Sequence, residues 1–267
     1  MTVNNWLQQA TQQLKDAHIE TARLDALVLL ADLLNKNSAQ LLAEPDLALT
    51  NEQVNELKNR LERRQKHEPL AYTRGHCEFY GREFIVSKAV LVPRPETETM
   101  IDCFKTLPTA AQKTVVDVGT GSGAVAITVA CELGEVQVLA TDISLEALEV
   151  AGQNCQKHQA TVTLKETNLL EGLELPLQTT ILANLPYVPD NYAINQAAAQ
   201  EPALALFGGP DGLDLYRQLF EQLKQQGHHG HLLTESLPAQ HHNLAQLARS
   251  YGYVLQTNQD FIQVFQR

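Results

Sequence analysis

Nowhere does the chain run apolar for the roughly 18 residues that a membrane span needs. The nearest stretch, ARLDALVLLADLL, is short and carries Asp25 and Asp32. The opening segment, MTVNNWLQQATQQLKDAHIE, lacks the basic-then-apolar order of an export signal. Cysteine is sparse: Cys77, Cys103, Cys131 and Cys155 lie far apart, with no CxxC pair to suggest a disulfide framework or a thiolate metal site. Positive charge is also in short supply, 20 Lys and Arg against 31 Asp and Glu, for a net charge of −11. Global attraction to a phosphate backbone is therefore disfavoured. These absences predict a soluble, cytoplasmic protein with no membrane partner and no direct nucleic-acid binding. At 267 residues, the length fits one large domain or a mid-sized domain with a small one.

What is present changes character along the chain. Residues 1–75 read as a small helical domain. Trp6, Ala10, Leu14 and Ala17 recur at helical spacing, and ARLDALVLLADLL forms a denser stripe. Thr50 with Gln53 has the spacing of a capping box ahead of Val54, Leu57 and Leu61, and Pro69 ends that third helix. Residues 76–92, rich in aromatic and β-branched side chains around Gly81, predict a β-hairpin connector. From residue 93 to 267, strand-like and helix-like segments alternate, and two strands close the chain without a helix between them. That order predicts an α/β fold with a mainly parallel sheet and an antiparallel edge.

VVDVGTGSGAVAI places Asp117, Gly119, Gly121 and Gly123 between a buried strand and a helix. Glycines there permit a tight turn and close approach of a ligand to helix N–H groups. Asp142, at the end of the following strand, suits two ribose hydroxyls, because a carboxylate can accept both hydrogen bonds. The spacing is not that of a dinucleotide fingerprint, since position 124 is Ala. Asp117 at the loop entrance would repel a pyrophosphate. It would welcome the α-ammonium of S-adenosylmethionine, whose carboxylate can take the backbone N–H groups. The charges favour the methyl donor.

In an open α/β sheet, ligands sit beyond the carboxyl ends of the strands. Asp117, Asp142, Asn168 and Asn184 all fall at or near such ends and are expected to ring one crevice. Asn184 offers a side-chain acceptor and Leu185 a main-chain carbonyl, together a receptor for the two N–H donors of an NH2 group. Pro186 stiffens the turn and Tyr187 can pack on a planar group. Planar amines and amides are poor nucleophiles because the nitrogen lone pair is delocalised. Acceptors that stabilise positive charge on that nitrogen while aiming it at a sulfonium methyl lower the barrier, without a metal.

The Asp-x-Gly-x-Gly-x-Gly loop with Asn-Leu-Pro-Tyr resembles the class I S-adenosylmethionine-dependent methyltransferases that act on exocyclic or amide nitrogens. More narrowly, RRQKHEPLAYTRGHCEFYGREF, VLVPRPETE and EPALALFGGPDGLDLYRQL make the chain similar to the peptide chain release factor N(5)-glutamine methyltransferases from end to end. The resemblance implies a Rossmann-like catalytic domain and an N-terminal domain that recognises substrate. It implies cofactor contacts from Gly119, Thr120, Gly121, Ser122, Gly123, Asp142, Asn168 and Leu169. It further implies that Asn184, Leu185, Pro186 and Tyr187 hold the glutamine of the Gly-Gly-Gln motif of class I release factors, the protein partner, with S-adenosyl-L-homocysteine as coproduct. The chain departs from the family at Leu185, at Asn168 and in TNQDFIQVF, which lacks the basic residue often found there. Leu185 stands where Pro is usual, and Asn168 stands where an acid is common, although its Oδ1 can still accept from an adenine amino group.

Other groups invite weaker readings. His228, His229 and His231, with His241 and His242, lack acidic or Cys ligands at suitable spacing and read as solvated. KNRLERRQKHE is interrupted by Glu56, Glu62 and Glu68 and reads as a solvated helix face. Glu96 and Glu98 either line the crevice or serve Arg94 and a helix start. Asp211 and Asp214 read as helix-initiating, and Glu235 ends a strand near the crevice. Two rival functions stay open: adenine methylation in RNA or DNA, and cofactor binding without turnover.

Overall fold

The Thr2 hydroxyl accepts from the Asn5 N–H at 3.3 Å and starts α1 (Val3–Asp16), whose Trp6, Ala10 and Leu14 are buried. The computed structural model describes all of residues 1–267 as two compact units, Met1–Gly75 with Asn195–Gln200, and His76–Ile194 with Glu201–Arg267.

In the first unit, α1 is followed by α2 (Ala22–Leu34), α3 (Ser38–Ala43), α4 (Asn51–Gln65) and α5 (Leu70–Arg74). The capping box at Thr50 and Gln53 is formed in both directions, at 3.2 and 2.9 Å. A second box, at Asn37 and Gln40, opens α3, so the Thr50 helix is the fourth and not the third. Pro69 is the N-cap of α5. The basic run on α4 is not a solvated face. Arg64 is buried, with its Nε 2.7 Å from Asp25 of α2. Arg60 and Arg74 both reach Asp32, at 2.5 and 3.0 Å. Arg63 pairs with Glu68 at 2.6 Å and donates to the Tyr72 carbonyl at 2.8 Å. The two aspartates that interrupt the apolar α2 sequence thus find their partners on α4 and α5.

The second unit begins with a hairpin, β1 (His76–Phe79) and β2 (Arg82–Ile85), followed by α6 (Glu98–Lys105). The alternating part runs β3 (Thr114–Val118), α7 (Ala124–Leu133), β4 (Gln137–Asp142), α8 (Leu145–His158), β5 (Val162–Glu166) and β6 (Thr180–Ala183). After the long segment from Asn184 come α9 (Asp214–Gln225), β7 (His231–Glu235), α10 (His241–Ser250), β8 (Val254–Gln259) and β9 (Ile262–Gln266). Seven strands form one sheet in the order β5-β4-β3-β6-β7-β9-β8. The first five are parallel; β9 is antiparallel to both β7 and β8, which gives the antiparallel edge expected from the sequence. Val115, Val116 and Val118 of the central strand are all buried, as a strand covered on both faces requires.

The hairpin is integral to this unit and not a free-standing connector. Phe79 and Phe84 lie in the core cluster with residues of α6, α7 and β3. The fully buried Asn154 of α8 accepts from the Ile85 N–H at 2.7 Å and donates to the carbonyls of Ile85 and Ser122, both at 2.9 Å. One amide therefore ties the hairpin to the glycine loop. No helix is long and apolar enough to cross a membrane.

Candidate active site

The strand order reverses at β3, which has β4 on one side and β6 on the other. Such a switch point opens a crevice at the carboxyl ends of the strands. A cavity of about 320 Å³ lies there. Its walls include Asp117, Asp142, Asn168 and Asn184, all four of the strand-end residues singled out from the sequence. Gly119, Thr120, Gly121, Ser122, Leu169, Leu185 and Pro186 also line it. Gly123 and Tyr187 do not. Gly123, at φ +80°, is the N-cap of α7; a Cβ there would stand 2.9 Å from Ile127 Cδ1 and 3.2 Å from Ala151 Cβ. It is a packing position where α7 meets α8, which a cofactor-contact reading does not capture.

Asp117 is buried and holds the loop. Its Oδ2 accepts from the Thr120 hydroxyl at 2.6 Å and from the Ala126 N–H at 3.2 Å. Burial pushes its carboxyl up to about 6, against the pull of those two donors, and the charge of Asp142 adds to the rise. Asp142 accepts from the Gly121 N–H at 2.8 Å through one oxygen and from the Ser144 N–H at 3.0 Å through the other. Ser144 itself caps α8 by accepting from Ala147 N–H. Each Asp142 oxygen keeps a lone pair for a ligand hydroxyl, so the carboxylate fits a ribose diol while it orients the loop. On the opposite wall, Leu169 adopts a left-handed backbone at φ +55°, strained for a branched side chain. Its carbonyl accepts from the Thr141 hydroxyl at 3.0 Å, which holds the Asn168–Leu169 corner in place.

At the far side, the Asn184 Nδ2 donates to the buried Thr97 hydroxyl at 3.0 Å, leaving Oδ1 as its unengaged acceptor. Tyr187 donates from its hydroxyl to Glu235 Oε1 at 3.0 Å. Burial and the adjacent carboxylate hold the Tyr187 hydroxyl protonated well beyond its ordinary range. Glu235 is fully buried, and burial pushes its carboxyl up to about 7 against the pull of the nearby Thr97 and Tyr187 hydroxyls. Arg94 on the cavity rim pairs with Glu201 at 2.6 Å, and Glu201 also accepts from the Val92 N–H at 3.0 Å. Arg94 therefore serves neither Glu96 nor Glu98. Glu98 instead accepts from the Tyr80 N–H at 2.8 Å, and Glu96 is exposed.

Asp211 accepts from the Leu213 N–H at 3.1 Å ahead of α9, and both Asp211 and Asp214 pair with Arg217. The histidines split. His228 is buried between the Tyr253 hydroxyl at 2.7 Å and the Thr179 carbonyl at 2.6 Å, and burial lowers its pKa; it is a core residue, not a solvated one. His241 is buried as well.

Comparisons with known proteins bear on what such a crevice serves. Over 228 residues the chain is 39% identical to a release factor glutamine methyltransferase of Koribacter versatilis, a match covering 84% of this chain and 81% of the relative. The chain belongs to the release factor glutamine methyltransferase family. A second member, from Dictyoglomus turgidum, is 32% identical over 268 residues, 96% of this chain and 93% of that one. The PrmC N-terminal domain model matches residues 5–75, and the methyltransferase small domain model matches residues 97–202. A bifunctional methyltransferase of Rickettsia typhi is 34% identical over 277 residues, 94% of this chain but 54% of that relative, so this chain spans about half its length. Two solved structures share the fold at low identity. The hMettl16 catalytic domain, solved with a MAT2A 3'UTR hairpin, has a TM-score of 0.57 at 11% identity and covers 90% of this chain and 89% of its own. A T. thermophilus 16S rRNA methyltransferase, solved with AdoMet and guanosine, has a TM-score of 0.52 at 14% identity and covers 72% of this chain and 49% of its own. The fold is thus that of the class I, Rossmann-like methyltransferases, and this family member is a methyltransferase.

Sequence reasoning singled out neither Phe79, Pro93 and Thr97 nor Pro202, Leu204 and Ala205, all of which line the cavity. VLVPRPETE marked the first segment as distinctive, but nothing in it singled out Thr97. Only the packing of Thr97 against a strand end 87 residues away gives it a role.

Proposed function

We propose that this protein transfers a methyl group from S-adenosylmethionine to the side-chain amide nitrogen of the glutamine in the Gly-Gly-Gln motif of class I release factors. The observation that carries the reading is the arrangement at Asn184. With Nδ2 committed to Thr97, the side-chain oxygen is left as the free acceptor of Asn184, and its neighbour Leu185 lines the same cavity and carries a main-chain carbonyl. Two acceptors in that relation suit the two hydrogens of a primary amide.

When bound, the cofactor supplies an electrophilic methyl on a sulfonium. The protein's own part is binding and aim. Asp142 receives ribose hydroxyls, the Gly119–Ser122 loop offers close backbone approach, and Asp117 adds negative charge near a ligand ammonium. Asn168, on the same cavity wall, carries an Oδ1 that can accept from an adenine amino group. Asn184 and Leu185 stabilise the positive charge that develops on the amide nitrogen, and their fixed positions remove the entropy of finding that geometry. No side chain needs to form a covalent bond. The protein partner is then a release factor, met in the cytoplasm.

The test is incubation with a labelled methyl donor and either a class I release factor or structured RNA. Label on the Gly-Gly-Gln glutamine, located by mass spectrometry, is the expected result. Label on RNA alone overturns it, and label on neither, with measurable cofactor binding, assigns the chain to a binding role without turnover.

A further inference from the structure

Glu235 has no part in the reading above, yet it is a fully buried carboxylate beside the reacting end. It is the last residue of β7, one position beyond the register pair Ala183–Thr234, and so stands beside Asn184 across the β6–β7 seam. Its Oε1 accepts from the Tyr187 hydroxyl at 3.0 Å. Its main-chain carbonyl accepts from the Tyr216 hydroxyl, which also lies 3.1 Å from the Ala183 carbonyl and 3.4 Å from the Leu185 N–H. Thr97, the partner of Asn184, bears on the same carboxyl. One buried residue therefore touches the substrate-facing turn at Tyr187 and meets the turn's backbone through Tyr216. The other charged or titratable groups that act on it are Arg94 and Glu96, besides Tyr187 and Tyr216.

A purely structural glutamate is an expensive choice here. Glu235 is fully buried, and its Oε2 has no hydrogen-bond partner. A buried polar atom left without a partner is destabilising by about 1–3 kcal/mol. An apolar residue of the same size would avoid that penalty but would leave the Tyr187 hydroxyl without its acceptor.

We infer that Glu235 is a positioning residue for methyl transfer: its carboxyl oxygen holds the Tyr187 hydroxyl and thereby fixes the Asn184–Tyr187 turn in the orientation that receives the substrate amide. The residue does not touch the reacting atoms, since neither it nor Tyr187 lines the cavity. What the role requires is an acceptor at Oε1, not a negative charge. Glutamine keeps that acceptor; alanine does not.

The inference rests on the proposed function, so its test carries one readout that is independent of turnover. Full-length Glu235→Gln, Glu235→Ala, Tyr187→Phe and the Glu235→Ala/Tyr187→Phe double variant are compared for kcat, cofactor affinity and thermal stability. Tyr187 is also replaced by 3-fluorotyrosine and observed by 19F NMR in the wild-type, Glu235→Gln and Glu235→Ala backgrounds. Glu235→Ala is expected to lower kcat by about 10- to 100-fold, the cost of misplacing a substrate-positioning group, with cofactor affinity within about twofold of wild type. Glu235→Gln recovers most of that loss, the double variant is no worse than the poorer single one, and the 19F resonance moves in the alanine background but not in the glutamine one. Equal damage from Glu235→Gln and Glu235→Ala overturns the inference, as do multiplicative losses in the double variant or an unmoved 19F resonance in Glu235→Ala. If Glu235→Ala does not fold, Glu235→Gln against Tyr187→Phe decides: the inference needs the first near wild type and the second impaired. If the wild-type protein methylates no release factor, the proposed function fails, while the 19F comparison still judges the Glu235–Tyr187 contact.

Discussion

Thr97→Val removes one hydroxyl and adds one methyl of nearly the same volume, so it takes away the acceptor that orients Asn184, together with the hydroxyl that acts on the Glu235 carboxyl. Thr97 is buried and its hydroxyl accepts from Asn184 Nδ2 at 3.0 Å. A neutral hydrogen bond of this kind contributes about 1 kcal/mol net, and stranding a buried donor costs about 1–3 kcal/mol. Asn184 is only half-buried, so the freed NH2 group can turn toward water in the cavity, and the lower part of that range applies. About 1–1.8 kcal/mol of lost orientation corresponds to a five- to twentyfold fall in kcat, since about 1.4 kcal/mol is tenfold. The same loss lowers Tm by only about 2–7 °C in a chain of this size. The assay is methyl transfer to a release factor with cofactor affinity measured in parallel. kcat should fall, cofactor affinity should hold, and Thr97→Ser should recover both turnover and stability. Wild-type turnover in Thr97→Val, in a preparation where Asn184→Ala is crippled, would refute the idea that Thr97 sets which face Asn184 presents.

Asp142→Ala takes a carboxylate from the cavity wall and also strips the Gly121 and Ser144 N–H groups of their acceptor. Cofactor binding by calorimetry should weaken by about 10- to 100-fold, the scale of one hydrogen bond to a charged group, and superimposable titrations would remove the ribose assignment. Asp117→Asn bears on pH. The carboxyl pKa rises from 3.8 to about 6 on folding, so the folded protein binds the proton more tightly than the unfolded chain. That contribution is complete below pH 3.8 and is lost as pH rises through 6, leaving a penalty of about 3 kcal/mol at neutral pH. The asparagine keeps an acceptor for Thr120 and Ala126, so Tm at pH 8 should rise relative to wild type while cofactor affinity falls; no gain in Tm would place the cost elsewhere. In the helical unit, Arg64→Ala leaves the buried Asp25 unpaired and should destabilise by about 3–5 kcal/mol, seen as faster amide exchange in α2 and α4, and wild-type exchange rates there would contradict it.

The features legible in the sequence are those with short-range or periodic causes. The Thr50–Gln53 capping box, the glycine loop and the strand–helix alternation each depend on residues a few positions apart, and each is formed. The gathering of Asp117, Asp142, Asn168 and Asn184 at one cavity followed from topology alone, because parallel strands deliver their ends to one edge. Partners distant in sequence were not legible. Arg64 meets Asp25 across 39 positions, Asn154 meets Ile85 across 69, and Arg94 meets Glu201 across 107. In each case a polar residue that reads locally as solvated or unassigned is buried by a neighbour that no spacing rule names. His228 is the plainest example, since its local sequence is a polar turn and its actual surroundings are Tyr253 and Thr179.

Leu185 shows how such distant partners can stand in for local stiffness. Proline at this position would fix φ and offer no N–H. Leucine restores both a free torsion and a buried donor that must be satisfied. The structure meets the second demand through Tyr216, whose hydroxyl lies 3.4 Å from the Leu185 N–H and is anchored in turn by the Ala183 and Glu235 carbonyls. It meets the first by packing. The Leu185 side chain is buried, and its Cδ2 lies 3.1 Å from where a Cβ on Gly119 would stand, so the chain wedges against the glycine loop. Gly119, at φ +72°, is then required twice: for its backbone conformation, and to leave room for this leucine. The Asn184–Tyr187 turn and the glycine loop thereby meet through one side chain. A shift of either must be felt by the other, because a close-packed contact of this kind transmits displacement and does not absorb it.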